Sequence, residues 1–476
     1  MKKGLIYLLP VMCLLAGCGK NTSISINTDK VEGAVGITEE NSQVDDKDTQ
    51  NIVQMIKAHV FYKTTDGQNK IPQIELEGNE QLRNIIEEIN TYRVNEYASM
   101  DLTRADTNVL SLFIDSVVFD EGELISGINI DSNTGKELKI SDVLENGNGL
   151  YEKLVNDNDF LEEYEDDIDD FSEKLKTVLT NFEAFDNDVN KDYNIAWTLG
   201  NNGMQIYMIG KNDGIDNMVV IPLEYAIYSE YFKNDILKLP SDYAFEVLPD
   251  RETRVNIDGK VRTVEVGEEI GEYGISEKIE VKIGGEQRTY QDGVSYGISK
   301  AYILQKDNNA YLYLELQYDN DYRNISIIDL NKNGDMIAIQ ESFANTSLLD
   351  PNEFYLGDRI FTISSLGVDR KYTLGEDGKP KTIEDYYNIT TPITLSTKID
   401  LNGKALDGLN GKEIGDFELP VGILLIPVGT DNKTFTDYKL SDESIVRIPM
   451  EQSSEYGFII EGKNVEDVFD GTFFAG

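Results

Sequence analysis

Histidine is nearly absent from this 476-residue chain, and that scarcity excludes more chemistry than any motif supplies. The single residue, His59, stands in the apolar run IKAHVFY. A His-ligated metal hydrolase, a Ser-His-Asp triad and a Cys-His pair each need a histidine with partners, and there is no second imidazole to share a metal. His59 therefore reads as a structural residue of a first strand. Cysteine is almost as rare: Cys13 and Cys18 are the two in the chain, and both fall near its start. No disulfide can brace the remainder, which must rely on packed cores. Tryptophan occurs once, at Trp197, so Trp-rich sugar clefts are not in evidence, although 26 tyrosines leave aromatic surfaces available. Basic residues number 43 against 87 acidic ones, and the formal charge of −44 excludes nucleic acid and anionic lipid as default partners. Such acidity keeps an exported protein soluble, attracts cations and favours encounter with a basic partner.

Long hydrophobic runs are missing as well. The apolar stretch Gly4 to Leu15 follows Met1-Lys2-Lys3 and is interrupted by Pro10, so it is too short to span a bilayer, which takes about 20 residues. Its charge, length and small-residue end are those of an export signal. Leu15-Ala16-Gly17-Cys18 resembles the lipobox of bacterial lipoproteins. The likeness implies cleavage after residue 17 and a diacylglyceryl group on the Cys18 thiol, an anchor to the outer face of the cell membrane. Two acyl chains hold durably where one holds marginally. Loss of Lys2 and Lys3 takes the side-chain charge to −46. Residues 18–51 are polar, poor in aromatics and aperiodic, which reads as a disordered tether spanning roughly 30 Å.

Beyond the tether, a chain of this length predicts two or three domains. Residues 52–248 read as α+β, an antiparallel sheet with helices. Ile52 to Tyr62 and Ile71 to Leu76 form a hairpin, and a helix from Asn79 to about Tyr97 turns Leu82, Ile85, Ile86, Ile89 and Tyr92 inward. Val109 to Phe119, Leu124 to Ile130 and Lys136 to Ile140 form a meander. Two helices follow between Ser141 and Phe185, and strands follow at Asn194 to Ile209 and Met218 to Leu223. The order IPQIELEGNEQL, VLSL, GINIDSNTGKELKISDVL, WTLGNNGMQIYMI and VVIPLEYA resembles the extracytoplasmic domain of the RsiV anti-sigma factors and a related region of PdaC-type peptidoglycan deacetylases. The resemblance covers Ile52 to Leu248 and implies an extracytoplasmic binding role, with lysozyme as one candidate partner. The chain departs from the pattern at Glu121 to Ser126, where the family carries a Gly-Gly-Ala-His turn. It also lacks the histidines of the deacetylase site and a membrane-spanning helix.

Residues 249–392 read as β-rich, with glycine turns such as NIDGK, KIGGE and LNKNGD between strands at 262–266, 278–283, 301–304, 311–318, 325–330, 336–340 and 360–364. A sandwich and a few propeller-like blades both fit. Residues 393–476 alternate short strands and turns in the manner of a small SH3-like barrel.

Few motifs carry chemistry. Asp329 to Asp335 begins like a calcium loop, but Gln340 stands where a bidentate Glu is needed, so a hairpin turn competes with it. Asp186, Asp188, Asn190 and Asp192 alternate, yet Lys191 and Trp197 occupy positions that rule out an EF-hand. Asp157 to Asp170 carries nine carboxylates around Phe160, Leu161, Tyr164 and Ile168, either a solvated helix face or a surface for a basic protein. The reading that results is a lipid-anchored, non-catalytic binding module for a protein or cell-wall ligand. Cys18 is the lipid-attachment residue, and no catalytic, metal-ligating or cofactor-binding residues are assigned. A carboxylate-dependent glycan or peptidoglycan enzyme and a structural envelope-assembly protein are the alternatives.

Overall fold

The structure, a computed structural model, describes residues 52–474 apart from 66–68, 119–121, 165–166, 187–193, 210–217, 292–294, 320–321, 345–346 and 454–456. Strands β1 (Ala58–Thr65) and β2 (Asn69–Leu76) form the expected hairpin, with Ala58 facing Leu76. Helix α1 (Arg83–Glu88) then buries Leu82, Ile86 and Ile89 against them. The helix is shorter than its periodicity predicts. A π-turn at Ile89–Arg93 inserts an extra residue and rotates the phase, leaving Tyr92 80% exposed rather than inward. Asn90 explains the turn: its side chain accepts from the Ile74 N–H and donates to the Ile74 carbonyl, both at 2.8 Å, and so pairs with β2 as a neighbouring strand would.

The meander consists of β3 (Ala98–Ala105), β4 (Val109–Val118), β5 (Gly122–Asp131) and β6 (Lys136–Glu137), paired in that order. β3 is a strand that the periodicity above leaves out. Its Ala98, Met100 and Leu102 point into the core shared with the hairpin and α1, while Ser99, Asp101 and Thr103 alternate to the opposite face. Helices α2 (Ile140–Val143), α3 (Gly147–Val155), α4 (Asn158–Tyr164) and α5 (Phe171–Asn181) replace the two expected. Gly147 lets α3 touch α5, since a Cβ there would lie 1.9 Å from the Leu179 carbonyl oxygen.

These helices cover one face of a three-stranded sheet, β7 (Ile195–Leu199), β8 (Gly203–Ile209) and β9 (Met218–Glu224), through Trp197, Met204, Ile206 and Leu223. β7 is an edge strand laid against the polar face of the meander. Its unpaired backbone is satisfied by side chains: Ser111 and Asn129 take the Leu199 N–H, both at 3.0 Å, and Thr103 donates to the Leu199 carbonyl at 2.9 Å. The edge is thereby closed to further strand pairing.

Past residue 240 the chain is almost wholly antiparallel β. Strand β10 (Tyr243–Glu246) is followed by the sheet β11 (Glu252–Ile257), β12 (Lys260–Ile270), β13 (Ser276–Ile283) and β14 (Glu286–Gln291). Next come β15 (Ile298–Lys306), β16 (Asn309–Gln317), β17 (Arg323–Asp329) and β18 (Ile337–Ile339), which join β10 in the order β10-β15-β16-β17-β18. The two sheets pack face to face through Val264, Val281, Ile303 and Leu314. The opposite face of the second sheet packs Tyr302, Tyr311 and Tyr313 against Phe354 and Tyr372. Burial on both faces explains why AYLYL, residues 310–314, is continuously apolar instead of alternating.

Strands β19 (Ser342–Phe343), β20 (Phe354–Ile360), β21 (Leu366–Leu374) and β22 (Pro380–Ile389) lead into β23 (Leu395–Thr397), β24 (Leu401–Leu406), β25 (Glu413–Leu419), β26 (Leu424–Thr430), β27 (Phe435–Lys439) and β28 (Ile445–Pro449). Within this large sheet β22 pairs with β26, so the sheet runs across position 393 without a break. β23 pairs with β26, while β24, a few residues on, pairs with β28. A strand was expected at 360–364, but β20 ends at Ile360. The observed fold is thus mostly antiparallel β-structure in several sheets, with its longer helices in the first half and one short helical turn at Val465–Val468 near the end.

Candidate functional site

The meander, the β8–β9 hairpin, and strands β10 and β15 leave a cavity of about 440 Å³ between them. Alternation along β3 and β4 places Asp101 and Asp115 on its floor, one cross-strand step apart, since Asp101 faces Phe113 and Ser99 faces Asp115. On the opposite wall Glu246 of β10 faces Tyr302 of β15, and Lys300 lies two residues from Tyr302. Phe113, Tyr207, Val220 and Phe245 supply apolar surface, with the Phe113 and Tyr207 rings stacked at 4.1 Å. The β7–β8 turn completes the lining with Asn201, which is fully buried. Its amide nitrogen donates to the Ala244 carbonyl at 2.9 Å, while its Oδ1 has no hydrogen-bond partner.

Several charged groups at the cavity are already engaged. Arg251 donates to the Tyr164 hydroxyl at 2.7 Å and the Val220 carbonyl at 2.8 Å, and pairs with Glu163 at 3.0 Å. Glu224 accepts from the Arg254 backbone N–H at 3.2 Å. Its burial pushes the carboxyl up to about 7 despite that contact. Asp101 receives a long bond of 3.4 Å from the Ser347 hydroxyl. Glu246 makes no hydrogen bond among the described residues. Water reaches Asp101 and Glu246 through the mouth, but protein crowds both, and this poor hydration raises their carboxyls above the ordinary range. Lys300 opposes the rise in both, while Asp115 adds to it at Asp101 and Asp101 adds to it at Glu246. The cavity therefore presents more acceptors than donors. Among the described residues no group of three or more His, Cys, Asp and Glu side chains converges as metal ligands do.

The sequence-assigned residues lie elsewhere. Cys18 falls outside the described residues, as do Asp188, Asn190, Asp192 and Glu121. His59 is a packing residue at the contact of β1 with β20, its ring stacked on Tyr355 at 4.4 Å. Burial, and then Lys371, lower its pKa to about 4, which keeps it neutral. Asp329 to Asp335 forms the connection of the β17–β18 hairpin, where the Asp329 side chain accepts from the Asn331 N–H at 2.9 Å. In the acidic run, Tyr164 and Ile168 enter the core while Asp157, Asp159, Glu162 and Glu163 are exposed, which is a solvated helix face. No helix among the described residues is long and apolar enough to cross a membrane. Compared with known proteins, the chain matches no family model and no curated relative.

Proposed function

We propose that this chain is a bacterial lipoprotein held at the outer face of the cell membrane through Cys18, whose folded part is a non-catalytic binding module for a protein, lysozyme among the candidates, or for a cell-wall ligand. The observation that carries the binding role is the cavity of about 440 Å³, apolar along its walls and lined by the crowded Glu246 carboxylate and by Asn201, whose Oδ1 has no hydrogen-bond partner. Its volume is that of an ordinary small-ligand pocket. A solvent-facing cavity that strips carboxylates of hydration gains free energy when a partner compensates them. The RsiV-like reading of residues 52–248 rests on the sequence resemblance of that region. The small SH3-like barrel reading of residues 393–476 rests on their alternation of short strands and turns.

The test is calorimetric titration of the purified full chain with lysozyme and with soluble muropeptides, beside a Leu248→Trp variant that narrows the cavity, which Leu248 helps to line. The expected result is a saturable, salt-sensitive complex with one of the two, weakened in the variant. Absence of a complex with both refutes the reading. A second reading, hydrolysis of a glycan by carboxylates, is favoured by one observation: Glu224, near 7, shares the cavity with Asp101 and Glu246, a pattern suited to a general acid beside a base. Release of reducing ends from peptidoglycan, abolished by Glu224→Gln, would favour that reading over binding alone.

A further inference from the structure

Three features of the cavity point the same way. Asp101, Asp115 and Glu246 reach it from three strands and exceed the available countercharge, since Arg251 is committed to Glu163, Tyr164 and Val220. Lys300 is the remaining cation among the lining residues. Asn201 Oδ1, on a fully buried residue, is an acceptor without a donor. The acids are not gathered as metal ligands are. A divalent metal ion needs several converging oxygen ligands, whereas a single positive charge with N–H donors is matched by one or two carboxylates and leaves the apolar wall for a stem. An anion would meet surplus negative charge, and a neutral apolar molecule would leave the carboxylates and Asn201 Oδ1 unanswered.

We infer that the cavity binds a primary ammonium carried on a short apolar stem, either a free alkylamine or the side chain of a lysine in a partner. The inference rests on the cavity being the binding site proposed above. The ammonium has three donors and no acceptor, which matches an acceptor-rich pocket. Its charge is met by the Asp101 and Glu246 carboxylates, and its methylenes lie along Phe113, Tyr207 and Val220. The stacked Phe113 and Tyr207 rings add an aromatic face of the kind that attracts cations.

The experiment is titration of the purified full chain at pH 7.5 with pentylamine, 1-pentanol, pentanoate and an acetyl-lysine-methylamide peptide mimic. Pentylamine is expected to bind saturably at one site, and pentanol and pentanoate at least about tenfold more weakly. Glu246→Gln and Asp101→Asn, which preserve shape, should each weaken pentylamine about tenfold while leaving circular dichroism and thermal unfolding cooperative. Tighter binding of the lysine mimic than of pentylamine assigns the ammonium to a protein partner, and the reverse assigns it to a free amine. Absence of saturable binding by both amines, equal binding of pentanol, or indifference to both carboxamide variants overturns the inference. Leu248→Trp separates it from the wider reading. Loss of the lysozyme or muropeptide complex in that variant, with amines inert, sinks the ammonium and leaves the binding module; amine binding with the complex unaffected does the reverse.

Discussion

Asn129 donates its side-chain amide to the Trp197 carbonyl at 2.9 Å, and the same side chain takes the Leu199 N–H at 3.0 Å. One buried residue thus supplies both the donor and the acceptor that a neighbouring strand would offer β7. Asn129→Leu removes them together. Ser111 still reaches the Leu199 N–H, so the loss is chiefly the Trp197 carbonyl, left buried and unpaired. The expected cost is about 2 kcal/mol, read as a lower urea midpoint with the denaturant slope unchanged. Unaltered stability would mean that β7 is held by its apolar face alone.

Arg104 carries a larger share. It is fully buried with Asp106, which it meets at 2.6 Å, and it donates to the Ile236 and Lys238 carbonyls, both at 2.8 Å. Removing one member of a buried pair leaves an uncompensated charge, so Arg104→Met is expected to cost about 3–5 kcal/mol. Asp106 also accepts from the Asn108 and Val109 N–H groups, at 2.7 and 2.9 Å, and therefore stays in place in the variant. The double variant Arg104→Met/Asp106→Asn should recover part of the loss in equilibrium unfolding. A double variant no better than the single one would place the cost in lost packing instead of stranded charge.

Much of the fold could be read from local pattern, while the cavity could not. Glycine turns such as NIDGK and KIGGE marked hairpins because positive backbone angles at Gly259, Gly284 and Gly285 are what tight turns demand. β3 was legible in principle, since ASMDLTRA alternates apolar and polar positions; leaving it out also left out Asp101. The helix at residue 79 was overextended because periodicity cannot register a π-turn set by Asn90 reaching sideways to β2. The cavity joins Asp101, Asn201, Glu246 and Lys300, residues far apart in sequence and drawn from a chain with 87 acids. No spacing rule links them. Their signal is the missing partner of Asn201 and the crowding of the carboxylates, both of which arise only when three sheets meet.

The anchor has its own test. On the proposed lipoprotein reading, two acyl chains on Cys18 would contribute about 0.8 kcal/mol per buried methylene, enough to retain the chain at the bilayer. Cys18→Ser is expected to release the protein to the medium, measured by fractionation and by loss of the lipid mass from the isolated chain. Retention of the variant at the membrane would show that something besides the Cys18 lipid holds it.

Asp369 offers a test with a defined sign. On β21 it faces Asn388 of β22 and accepts its amide at 2.8 Å, with 9% of the residue exposed. Burial raises the carboxyl from 3.8 to about 6, and the Asn388 bond offsets that only in part. The folded chain therefore binds this proton more tightly than the unfolded one. Its contribution to stability is whole below about pH 4 and is lost as pH rises through about 6, a change of about 3 kcal/mol at most. Asp369→Asn keeps the site neutral and can still accept from Asn388. It is expected to stabilise the protein at pH 7.5 by about 1–3 kcal/mol, with little change at pH 4.5. Urea midpoints at the two pH values decide it: a loss of similar size at both would show that the ionised carboxylate, not the protonated acid, suits this position between β21 and β22.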